Sequence, residues 1–110
     1  MIQDRIEKIE AALASVQHLP HETREELRKL LAELKAEVLP LTESHTEDAA
    51  SIARFTDASV FEATRSERRP EQSEAALKGL TASVGGFEAS HPELVQVVNR
   101  IALTLSNMGI

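Results

Sequence analysis

The residues best equipped for chemistry in this chain are its four histidines and the carboxylates beside them. Glu88-x-x-His91 has the i, i+3 spacing that di-iron carboxylate bundles use on each of two helices, with further inward glutamates on two others. One such pair occurs here, so a second would have to come from another copy of the chain. Glu7, Glu33 and Glu37 could supply the extra carboxylates, but they fall off the apolar stripes traced below. Pro92 directly follows His91 and disfavours the helical backbone that would align the pair. Glu88 and His91 are therefore expected to bond each other and fix a bend, with metal ligation by these two residues as the alternative. His18-x-x-His21-Glu22 straddles Pro20 in a turn. Two exposed imidazoles there can catch adventitious zinc or nickel, whereas a built site needs three or four ligands and a supporting shell. His45 falls in a helix cap with no obvious partner.

Other chemistries find less support. The chain has no cysteine, which excludes disulfides, thiol catalysis and thiolate-bound zinc. No G-x-S-x-G elbow appears, and Gly85-Gly86 belongs to no phosphate-binding loop. Arg24, Arg28, Lys29 and Lys35 are interleaved with Glu22, Glu25, Glu26, Glu33 and Glu37, which reads as an ion-paired surface. With a net charge of −6 and neither Trp nor Tyr for base stacking, nucleic acid is not an expected partner. No cofactor, no metal and no enzymatic activity are expected. The chain also lacks an apolar run of the roughly 18 residues a membrane span requires and a secretory leader, so a cytoplasmic location is expected, with no membrane partner.

The elements that must position these residues are helical. Fifteen alanines and thirteen leucines against three phenylalanines favour helix over sheet. Ile2, Ile6, Ile9, Leu13 and Val16 repeat at the four–three spacing of a coiled-coil seam, predicting a helix from Ile2 to about Gln17 that stops before Leu19-Pro20. Leu27, Leu31, Leu34 and Val38 repeat it, with Leu30 widening the stripe, in a second helix from Pro20 or His21 to about Leu39. So short a connection predicts an antiparallel hairpin over 1–40. Residues 41–44 read as a connector, and Ser44-x-x-Glu47 as a capping box opening a middle helix within 44–66. Its stripe of Ala49, Ile52, Ala53, Thr56, Val60 and Ala63 implies either close helix approach or weak packing. A charged loop follows at 65–70.

The last part, 70–110, reads as a helix pair. Leu77, Leu80, Val84 and Phe87 mark a helix to about Glu88, and Leu94, Val98, Ile101, Leu105 and Met108 mark another. The two stripes stay in heptad phase, which would suit one kinked rod. The double glycine, Pro92 and a second capping box at Ser90-x-x-Glu93 instead place a true elbow at 89–92. Gly109 suits the left-handed position that ends a helix, with Ile110 folding back on Leu105.

Phe87-Glu88-x-x-His91-Pro92-x-Leu94, followed by Ile101, Leu105 and Gly109-Ile110, resembles the C-terminal signature of domain-of-unknown-function family 4404. The resemblance covers about the last quarter of the chain, and the N-terminal hairpin and Ala-rich middle look like longer members. It implies a short, helical, cytoplasmic bacterial protein and implies no activity, so no catalytic residue is carried over.

The expected architecture is all-α: a single domain over 1–110 in which four to five helices form antiparallel hairpins, a bundle or coiled-coil-like assembly. The expected function is a non-catalytic interaction or scaffold module acting as a homodimer or higher homo-oligomer. Leu103, opposite the core stripe of the last helix, marks the interface together with Val95 and Arg100. The alternative is a small-molecule- or metal-binding bundle, possibly an enzyme, with Glu88 and His91 at its site.

Overall fold

Each aliphatic stripe becomes the buried face of a helix. The computed structural model describes residues 2–108, with the side chain of Gln3 left aside. The reading of Gly109 and Ile110 lies outside these residues. Ile6, Ile9 and Leu13 are buried on α1 (Ile2–Ala14), and Leu27, Leu30, Leu31, Leu34 and Val38 on α2 (His21–Val38). One helical turn, α3 (Leu41–Ser44), leads into α4 (Thr46–Thr64), α5 (Pro70–Ala82) and α6 (Pro92–Met108). The described residues are 78% helical and contain no strand, so the fold is all-α. No helix among them is long and apolar enough to cross a membrane.

Side-chain ties fix the directions of the helices. Lys35, late in α2, lies 3.6 Å from both Glu7 and Glu10 on α1, as an antiparallel hairpin requires. Between α4 and α5 the Arg65 guanidinium donates to Gln72 at the loop end, while Phe55 lies against Gly79 farther along. From the loop before α5, Arg68 donates to the Met108 carbonyl at the end of α6 at 2.8 Å. α2 also packs broadly against α6, and α1 against α4, so the pairs share one apolar cluster.

Several boundaries depart from the expectation, each for a local reason. α1 ends at Ala14 rather than near Gln17. The Ser15 and Val16 amides tighten onto the Ala12 and Leu13 carbonyls, and Ser15 Oγ also donates to Ala12. Arg24 then donates to the Val16 carbonyl, giving the exposed helix end a partner. The expected connector at 41–44 is helical, which raises the count from the expected four to five helices to six. Pro40 sits at φ −64°, ψ −21°, so it starts a new turn as it ends the old one, and Leu41 anchors that turn in the core.

Neither capping box forms. Ser44 is consumed as a helical residue of α3, leaving His45 in the N-cap position of α4 without a side-chain cap. Ser90 lies in the turn before α6, and its hydroxyl meets the His91 ring rather than a helix amide.

α5 stops at Ala82, six residues before the expected Glu88, because Gly86 takes φ +98° in a turn that L side chains rarely adopt. The non-helical segment therefore spans 83–91 and begins ahead of the expected elbow at 89–92. The shared heptad phase does not produce a rod. A helix from 70 to 108 would be about 58 Å long, and the longest dimension of the described chain is 38 Å.

The small residues of α4 bring helices together. Ala49, Ile52, Ala53, Thr56, Val60 and Ala63 are all buried, joined by Ser59. Ser73 and Ala76 face them from α5, and this helix pair has the most extensive packing in the molecule. Thr56 returns its hydroxyl proton to the Ile52 carbonyl at 2.7 Å. Ser59 Oγ is buried and finds no hydrogen-bond partner among the described residues.

Candidate functional site

The α3–α4 junction and the α5–α6 elbow, far apart in sequence, meet at their aromatic rings. Val84 and Phe87 bury themselves in the core and fix the elbow. The Gly85 amide donates to Ala82, Phe87 to Val84, and His91 to Phe87 at 2.8 Å. His45 and His91 each stand directly before a helix, and Phe87 packs edge-on against both. The ring centroids are 5.5 Å apart for His45 and Phe87, 5.4 Å for Phe87 and His91, and 6.3 Å for the two histidines. Interplanar angles of 74° to 78° make every pair T-shaped, the geometry that sets a ring edge against a ring face.

A serine precedes each histidine and holds its Nδ1. Ser44 Oγ lies 2.8 Å from His45 Nδ1, and Ser90 Oγ lies 2.9 Å from His91 Nδ1. Ser44 also reaches the Pro40 carbonyl at 3.4 Å, and the direction of its shorter bond to His45 Nδ1 follows the tautomer of the ring. His45 is exposed and His91 half-buried, so both rings are reachable from solvent.

The pair expected at this elbow, Glu88 and His91, is not joined. The Glu88 carboxylate accepts the Gly86 amide at 2.9 Å and so steadies the glycine turn instead. No group of three His, Cys, Asp or Glu side chains among the described residues is placed to hold a metal ion. His18 and His21 are exposed at the α1–α2 turn, and His18 rims a groove of about 570 Å³ beside the end of α6. The sequence offers His45 no obvious partner, and the structure gives it three: Ser44, Phe87 and His91. The signal that could have found it is the Ser-His dipeptide, which occurs twice, each time one residue before a helix begins.

The residues expected at an interface divide between two places. Leu103 is 62% exposed on the outer face of α6. It rims a groove of about 540 Å³ between α5 and α6, with Leu77 and Ala102 in its wall. Arg100 is also exposed on α6, whereas Val95 is half-buried against the core and borders a separate shallow cleft with Glu88, Pro92 and Asn99. On α2, Arg28 pairs with Glu25 and Lys35 with Glu7 and Glu10, so these cations are committed to carboxylates.

A bundle of short antiparallel helices, with a histidine pair at one elbow and an exposed leucine on its last helix, defines a small all-α protein. The family model described as Domain of unknown function (DUF4404) matches residues 27–110, and the chain belongs to that family. The match runs from within α2 through α6 and so extends well beyond the C-terminal signature, while α1 lies outside it. No curated protein and no solved structure matches the chain.

Proposed function

We propose that this protein is a non-catalytic helical interaction module that works in the cytoplasm as a homo-oligomer, with the outer face of α6 as its contact surface. The exposure of Leu103 carries the reading. A leucine left 62% exposed beside an apolar groove gives two copies a knob and a recess each, which a twofold arrangement can engage reciprocally. The rest of that face supports it. Gln96, Asn99 and Asn107 are exposed and uncharged, and Glu93 and Arg100 are the only charged residues on the helix. Few charges on α6 itself would have to be desolvated on contact, while the recess adds Arg68 and the Glu74–Lys78 pair. Arg100 is exposed on the same helix, whereas Val95 is half-buried against the core and borders a separate cleft.

Light scattering coupled to gel filtration tests this directly. The parent chain should elute as a species heavier than 12.1 kDa. Leu103→Glu should reduce it to monomer with an unchanged helical circular dichroism spectrum. A monomeric parent at micromolar concentration would remove the proposal's support.

A further inference from the structure

We propose that the second copy docks in one register, with Arg100 of each chain against the partner's Glu74, so that two reciprocal ion pairs orient the dimer. The inference rests on the homo-oligomer proposed above and adds what fixes its geometry. Arg100 and Glu93 are the only charged residues on α6. Neither forms an ion pair among the described residues, in contrast to Arg28 and Lys35 on α2. Arg100 is an exposed cation one turn from an exposed leucine, Leu103.

Helix geometry places Arg100 and Glu74 at points that a twofold rotation exchanges. At 3.6 residues per turn, Arg100 projects about 60° from Leu103, and Ala102 about 100° to the opposite side. Ala102 faces α5, because it walls the recess together with Leu77 and Glu74. Arg100 therefore lies on the side of Leu103 away from α5, about 4.5 Å nearer the start of α6. Glu74 lies on the α5 side, about 4.5 Å before Leu77. α5 runs antiparallel to α6, with Arg68 tied to the Met108 carbonyl, so Glu74 is displaced toward the end of α6. The two residues are thus offset in opposite senses, both along the helices and across them. A twofold axis passing between Leu103 and Leu77 reverses both offsets. It lays Arg100 on the partner's Glu74 as each Leu103 enters the partner's recess.

The charges match in this register. Within its own chain Glu74 is held only by Lys78, at 3.3 Å, and both side chains are largely exposed. Such a pair contributes little by itself and leaves the carboxylate able to accept from a second cation. Arg100 brings a planar guanidinium that can engage a carboxylate through two N–H donors. The same rotation carries Glu93 toward the partner's Arg68, a cation with no carboxylate partner among the described residues. Unlike charges therefore meet along the whole face. Apolar contact at Leu103 alone would tolerate many orientations of the second copy, whereas a slipped copy loses these pairs.

Charge reversal tests the register, read by light scattering over a series of concentrations of the full chain. Arg100→Glu and Glu74→Arg each set like charges together twice per dimer, and each should weaken dimerisation by about tenfold or more. The double variant Arg100→Glu/Glu74→Arg should recover the parent's dimer. An equimolar mixture of the two single variants should also assemble, because the glutamate introduced in one chain then meets the arginine introduced in the other. Both positions are exposed, so the helical circular dichroism spectrum should stay the same throughout. Added salt should weaken the parent's own dimer, a measurement that needs no variant. Single variants that dimerise as tightly as the parent, a double variant that stays dissociated, or a parent dimer indifferent to salt would overturn this register. Dissociation by Leu103→Glu would then still uphold the α6 contact, whereas a monomeric parent removes both.

Discussion

The ring of Phe55 on α4 occupies the space that a β-carbon on Gly79 of α5 would need. Glycine inside a helix costs roughly 1 kcal/mol relative to alanine, so its presence in α5 has to be offset by what it admits. Here it admits an aromatic ring that would otherwise project into solvent, and the ring is 38% exposed even so.

A double-mutant cycle reads out that exchange. Gly79→Ala in the Phe55→Ala background should stabilise the protein by about 1 kcal/mol, the full helix-propensity gain. In the parent the same substitution must push the Phe55 ring outward, so the gain should vanish or reverse. Equal effects in both backgrounds, measured by chemical denaturation, would show that the two residues are uncoupled.

Ser59→Ala should raise stability. The hydroxyl is buried in α4 without a partner among the described residues, and its removal relieves desolvation while improving helix propensity. A gain of about 1 kcal/mol is expected, visible as a higher midpoint in a urea melt. A loss would show that the oxygen is bonded in solution.

His45→Asn addresses the cap of α4. The backbone at this position, φ −136° and ψ 59°, must open toward an extended conformation before the amide side chain can reach the helix amides. The expected gain is therefore at the low end of the usual range, about 0.5–1 kcal/mol. A fall in the melting temperature would mean that the His45–Phe87 ring contact outweighs a proper cap.

Ser90→Ala should change stability by less than about 0.5 kcal/mol, as substitutions away from caps and core usually do. The Ser90 hydroxyl is spent on His91 Nδ1. A loss of about 1 kcal/mol would be the signature of a cap to α6.

What the sequence made legible follows from the range of each force. The stripe of α4, from Ala49 to Ala63, is buried as its spacing predicts, because periodic apolar residues have only one way to leave water together. The break before Pro92 was also legible, since glycine and proline act within a few residues. The two capping boxes misled because Ser44 and Ser90 each have a nearer acceptor or donor than the helix amides. Spacing alone does not rank such local competitors. The His45–His91 encounter was out of reach for a different reason. It depends on how α4 and the elbow pack across 46 positions of chain, and no local pattern encodes that distance.

The docking of α2 on α6 carries a consequence for the nascent protein. Synthesis proceeds from the N-terminus at about 5–20 residues per second, so α6 follows α2 out of the ribosome after an interval of roughly 4 to 14 s. During that interval α1 can cover one side of α2, but the surface that belongs against α6 stays wet. Leu27, Leu30, Leu31 and Leu34 all lie on α2, and a leucine-rich helix waiting for its last partner is an obvious client for a chaperone. Completion of this bundle thus waits on the synthesis of α6, and a chain released before α6 would leave that surface without its cover.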